Sequence, residues 1–125
     1  MRIHESAENY LETILALSQK KQFVRSIDVV NEMNFSKPSV SVAMKHLRED
    51  GHIVMDENGY ITLTESGLEI ANNIYERHKL LSALLIKLGV EQEIAKEEAC
   101  RIEHDISQDT FEKIKKWLKE NQIID

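Results

Sequence analysis

The sequence is poor in the residues that interrupt or staple a chain. Its 125 residues include one proline, four glycines and one cysteine. No Pro- or Gly-rich stretch is present to act as a flexible linker. The lone Cys100 excludes an internal disulfide and agrees with a reducing compartment. No apolar run approaches the ~20 residues of a membrane span, and the N-terminus lacks the apolar core of a secretory signal. The expected location is the cytoplasm, with no membrane partner. Positive charge is also in deficit. The formal net charge of −6 argues against non-specific affinity of the whole chain for nucleic acid, so any such affinity must be local.

What is present is periodicity. Tyr10, Leu11, Ile14, Leu15 and Leu17 predict a helix over 5–20, closed by Lys20 and Lys21, where the helix dipole favours cations. Ser26 reads as the N-cap of a second helix, with Asp28 in its first turn, Ile27, Val30 and Met33 as its apolar stripe, and Asn34 as its left-handed stop. Ser36 reads as the N-cap of a third helix, with Pro38 in the first turn, Val40, Ala43 and Leu47 inward, and Gly51 at the end. The period then changes to alternation. Ile53-Val54-Met55 and Tyr60-Ile61-Thr62-Leu63 flank Asp56-Glu57-Asn58-Gly59, and Asn-Gly, two residues that accept positive φ, predicts a hairpin.

Thr64 reads as the cap of a long helix. Leu68, Ala71, Tyr75 and His78 line one side of it, and Leu81, Leu84, Leu85 and Leu88 continue the apolar face to Gly89. A helix over 91–106 packs Ile94, Ala95, Ala99 and Ile102. Ser107 caps a last one, carrying Phe111, Ile114, Trp117 and Leu118. The expected fold is mainly α: a winged helix-turn-helix over 1–64 with a β-hairpin wing, then a helical domain over 65–125. The apolar stripes of the helical domain either fill its own core or cover a second copy.

In a winged helix the third helix enters the major groove by its N-terminal end. The outward residues there are Ser36, Lys37, Pro38, Ser39, Ser41, Val42 and Lys45. Hydroxyls and lysines suit phosphate and base-edge contacts, and Val42 suits a thymine methyl. From Ser36 to Arg48 there are Lys37, Lys45 and Arg48 and no acid. Arg25 and Ser26, at the start of the second helix, suit backbone contacts. A winged helix that binds protein instead is the alternative, and the basic, Ser-rich third helix favours DNA.

Cys100, Glu103 and His104 stand at i, i+3 and i+4 of one expected helix, which sets a thiolate, a carboxylate and an imidazole on one face. The plain alternative is a small packed cysteine beside a wet Glu-His pair. His78 lies on the apolar side of the long helix, where an imidazole needs a polar partner. Asn9 and Glu12 lie at i, i+3 on the first helix. Donors from three helices would tie the two domains together, as a switch requires.

Glu8-Asn9-Tyr10-Leu11-Glu12, Arg77-His78-Lys79-Leu80-Leu81 and Glu98-Ala99-Cys100-Arg101-Ile102-Glu103-His104, in this order, resemble the diphtheria toxin repressor family over essentially the whole chain. The likeness is to its short form, without an SH3-like domain. The resemblance implies a homodimer that binds a divalent metal between its N-terminal and dimerisation helices, and then binds double-stranded operator DNA to repress metal-uptake genes. It carries Cys100, Glu103 and His104 over as ligands of the iron-responsive branch, Glu12 as a ligand of the manganese-responsive branch, and His78 as a ligand of both. Asn9 stands where those branches have methionine or aspartate. Ser82 and Lys96 replace an ancillary glutamate and histidine of the iron branch, and Cys100 replaces a glutamate serving a second metal in the manganese branch. Neither the ancillary site nor a two-metal cluster is therefore implied. A thiolate favours softer cations than manganese, so the expected order is Fe2+, then Mn2+, then Zn2+. The rival readings are a winged-helix regulator answering a non-metal ligand, a metallo-hydrolase and a protein adaptor. No spare acid or base stands beside the cluster, so an enzyme is not expected.

Overall fold

A computed structural model describes residues 5–124. Six helices and one hairpin follow in order: α1 Glu5–Lys20, α2 Ser26–Met33, α3 Lys37–Glu49, β1 Ile53–Met55, β2 Ile61–Leu63, α4 Glu65–Lys87, α5 Gln92–Ile102 and α6 Gln108–Glu120. The chain divides into two compact units, Met1–Asn72 and Asn73–Asp125. Among the described residues no helix is long and apolar enough to cross a membrane.

The first unit is a winged helix-turn-helix. Its core gathers Leu11, Ile14, Val29, Val40, Met44, Leu47, Ile53 and Ala71. On α2, Val30 and Met33 pack against the core as expected and Val29 is fully buried, while Ile27 is exposed. On α3, the partly buried Ala43 packs against the core as expected, and Met44, fully buried, joins it. Ser36 caps α3 as expected, accepting the Ser39 N–H at 3.2 Å. At α2 the expectation of a Ser26 cap is corrected. Arg25 holds the cap position with extended backbone, and its N–H donates to Asp28 at 2.9 Å, so the acid in the first turn closes the helix start. Asn34 adopts φ 56°, the left-handed stop between α2 and α3.

The hairpin pairs Ile53 with Leu63, Val54 with Thr62 and Met55 with Ile61, antiparallel. Gly59 alone of the pair has positive φ, at 80°; Asn58 does not share it, and Tyr60 lies outside β2. The cause is Asp56. Its carboxylate accepts the N–H of Asn58 and of Tyr60, both at 2.9 Å, and its carbonyl accepts the Gly59 N–H at 3.0 Å. The loop is therefore a turn closed by an aspartate and a single left-handed glycine, rather than a two-residue Asn-Gly turn. Thr64 caps α4 through the Gly67 N–H at 3.2 Å and donates to the Gly51 carbonyl at 2.7 Å, tying the helix start to the α3–β1 turn.

The second unit packs Leu80, Phe111 and Leu118 with Leu84, Ile106, Ile114, Ile123 and Ile124. Ser107 caps α6, accepting the Thr110 N–H at 3.1 Å. Helix α5 stops at Ile102, short of the expected 106. The Glu103 carbonyl is taken by an arginine of α4, and the chain turns with Asp105 N–H bonded to the Ile102 carbonyl at 2.9 Å. Leu88, Ile94, Trp117 and Tyr75, expected on packed faces, are exposed in the single chain. Leu84, Leu88, Ile114 and Trp117, with Thr110 and Lys113, line a groove of about 430 Å3.

Candidate functional site

The second unit contains a buried polar cluster. Glu103, in the turn after α5, is fully buried, and His104 is 5% exposed. The Glu103 Oε2 accepts from His78 Nδ1 of α4 at 3.0 Å. Its Oε1 lies 3.4 Å from His104 Nε2, close enough for attraction but out of line for a hydrogen bond, and has no hydrogen-bond partner. A carboxylate taken wholly out of water needs compensation at both oxygens.

Beside it, Arg77 of α4 is also buried. Its Nη1 donates to the main-chain carbonyls of Glu103, at 3.1 Å, and Ile106, at 2.7 Å, and its Nη2 donates to Gln108 Oε1 at 2.9 Å. Arg77 and Gln108 carried no signal in the sequence as site residues, because arginine is ordinarily exposed.

Of the expected donors, the structure brings together His78, Glu103 and His104. Cys100, one turn before Glu103, is exposed. Asn9 and Glu12 are half-buried on α1, in the other unit. Among the described residues no three of His, Cys, Asp and Glu are arranged to hold a metal ion. The donor chemistry nevertheless fits one. Two imidazoles flank a buried carboxylate whose Oε1 lacks a hydrogen bond, and carboxylate with imidazole suits a divalent first-row cation.

In the first unit, the outward residues of α3 are exposed as expected: Lys37, Pro38, Ser39, Ser41, Val42 and Lys45, with Ser36 at the cap. Arg25 is exposed and Ser26 half-buried. The Arg25 guanidinium lies over the Tyr60 ring, and Phe23 stacks on that ring at 4.4 Å. The hairpin thus lends the start of α2 an aromatic support. Val42, Ser39 and His46 also border a groove of about 320 Å3 that reaches Tyr10 of α1.

Comparison with known proteins agrees with both halves. Residues 2–63 match the family described as "Iron dependent repressor, N-terminal DNA binding domain", and residues 64–123 match "Iron dependent repressor, metal binding and dimerisation domain". An HTH-type transcriptional regulator of Methanocaldococcus jannaschii is 31% identical over 117 residues, covering 92% of this chain and 94% of its own. The transcriptional regulator MntR of Salmonella typhimurium is 32% identical over 108 residues, covering 86% of this chain and 69% of its own. The structure of the manganese regulator SloR superposes with a TM-score of 0.80 at 28% identity, covering 95% of this chain, which spans 55% of that chain. These relatives are regulators, not enzymes. The chain belongs to the iron dependent repressor family of metal-dependent transcriptional regulators.

Proposed function

We propose that this protein is a metal-activated repressor: a homodimer in which Fe2+, or secondarily Mn2+ and then Zn2+, favours binding to double-stranded operator DNA of metal-uptake genes. The observation that carries the metal reading is Glu103, fully buried with Oε1 lacking a hydrogen bond and with an imidazole close to each oxygen. His78, Glu103 and His104 form the heart of the proposed ligand set. Cys100 adds a thiolate that favours iron over manganese, and Asn9 and Glu12 add donors from α1. A bound divalent cation would supply positive charge to a donor set that includes two carboxylates and a thiolate, and cross-link its helices. The chain's own residues do the rest. His78 holds Glu103 in place, and burial keeps competing water from its carboxylate.

On the DNA side, the reading assigns the major groove to the N-terminal end of α3, through Ser36, Lys37, Pro38, Ser39, Ser41, Val42 and Lys45. Arg25 and Ser26 contact phosphate. The capped, Pro-started α3 supports this, because a rigid helix start presents its side chains in fixed directions. Lys45 lies 4.0 Å from Glu49, an exposed and therefore weak pair that a phosphate can outcompete. The exposed apolar groove of α4 and α6 supports self-association.

The test is anaerobic titration of metal-stripped protein with Fe2+, Mn2+ and Zn2+ against DNA upstream of metal-uptake genes. Binding that requires metal, and that is lost in Cys100→Ala while the dimer persists, is expected. Equal binding in chelator would end the sensor reading and leave the winged helix.

A further inference from the structure

Arg77 stands next to His78 on α4, and the two residues hold the same partner by different atoms. His78 bonds the Glu103 side chain at 3.0 Å, and Arg77 bonds the Glu103 main-chain carbonyl at 3.1 Å. The last carbonyls of a helix have no partners of their own, and a cation near them is favoured by the helix dipole. Arg77 meets that need at the end of α5 and then spans the turn to Ile106 O and Gln108 Oε1. Its guanidinium also lies 5.4 Å from the centre of the Phe111 ring, which is fully buried. Nε has no hydrogen-bond partner, and the hydrogen bonds of Nη1 and Nη2 go to this one turn. The turn carries Glu103 and His104, whose side chains are almost wholly buried.

We propose that Arg77 is a positioning residue for the metal centre. By fixing the main chain at Glu103 and Ile106 it sets the carboxylate of Glu103 between His78 and His104. This rests on the metal reading above. A planar fork with donors in fixed directions can hold three acceptors at once; a lysine ammonium is a point charge on a flexible stem and cannot hold the same geometry. Residues that orient metal ligands typically change affinity about 10- to 100-fold when replaced.

The experiment compares wild type with Arg77→Lys, Gln108→Ala and, as ligand control, Glu103→Gln. Two quantities are read: Mn2+ affinity by calorimetry, and the imidazole nitrogen NMR signals of His78 in metal-stripped protein. Expected are a loss of affinity of about tenfold or more in Arg77→Lys, a smaller loss in Gln108→Ala, and a shifted His78 signal in both. A purely structural tether would lower the unfolding temperature while leaving affinity and the His78 signal unchanged, and that result overturns the inference. Should Arg77→Lys not fold, Gln108→Ala, which removes one acceptor of the same fork, decides by the same two readings. If wild type binds Mn2+, Glu103→Gln loses it and Arg77→Lys keeps it, Arg77 is not a positioning residue and the metal reading stands. If wild type takes up no Mn2+, the metal reading fails and this inference falls with it.

Discussion

Arg25 and Tyr60 form a cation–π pair between the start of α2 and the residue before β2, with the guanidinium carbon 4.7 Å from the ring centroid. The ring orders an exposed cation without taking up its hydrogen-bond donors, so those remain available to phosphate. Tyr60→Leu is expected to weaken operator binding a few-fold with little change in salt dependence, since no charge is lost. Arg25→Ala is expected to lower the salt slope by about one unit. Fluorescence anisotropy over a salt series reads both; an unchanged slope in Arg25→Ala removes it from the DNA contact.

Lys45 is expected to behave as a second phosphate contact. Lys45→Ala should reduce affinity for specific and non-specific DNA alike and lower the salt slope by about one unit. Val42→Ser should instead change affinity mainly where the operator offers a thymine methyl. A uniform effect of Val42→Ser across operator sequences would remove it from base readout.

Gly67, in the first turn of α4, is needed for close approach. A Cβ there would overlap the backbone carbonyl oxygen of His52, and backbone cannot swing aside. Gly67→Ala should therefore cost about 3 kcal/mol or more in urea unfolding, at the upper end of overpacking effects. A cost below about 1 kcal/mol would mean that the α4 start can move off the α3–β1 turn.

Asp28 gives the α2 start a pH dependence. The hydrogen bond from Lys21, then that from the Arg25 N–H, hold its carboxyl below the ordinary value of 3.8. A lowered folded pKa contributes stability that is full above the unfolded value and is lost as pH falls through the folded one. Asp28→Ala should thus be less stable than wild type by about 1 kcal/mol near neutrality. The charge-dependent part of that gap should close below pH 3.8, and no change is expected between about pH 5 and 8. Unfolding curves across that range check it; a gap that opens towards acid would reverse the assignment.

Divalent metal should raise the unfolding temperature of wild type and leave Glu103→Gln nearly unmoved. At a hundredfold excess over Kd, binding to the folded state alone stabilises by about 2.7 kcal/mol. Calorimetric scans with Mn2+ and with chelator read the difference. Equal shifts in the two proteins would place the metal elsewhere.

Local rules served well where the deciding interaction was local. Ser36 and Ser107 cap α3 and α6, and Asn34 stops α2, because each depends on residues within a turn. On α2, Val30 and Met33 pack against the core as expected, and only Ile27 departs, because eight residues give too short a stripe to separate it from Val29. The metal-ligand spacing assumed a helix running past Glu103. Arg77, reaching from α4, takes the Glu103 carbonyl where α5 ends, and such a tertiary contact leaves no periodic trace. His78 was expected to need a polar partner, and Glu103 is that partner. The burial of Arg77 and the exposure of Cys100 were not legible, because each reverses the usual habit of its residue type.

The buried Glu103 bears on how long a copy of the protein lasts. A carboxylate oxygen sealed from water without a hydrogen bond is a standing cost to the folded chain. With the ligand set proposed above, a metal-starved cell would hold the repressor in its less durable form. Small losses of folding free energy change steady-state abundance several-fold, because proteases act on the opened state. Scarcity would then act twice, first by emptying the operator and then by thinning the pool of repressor able to return to it.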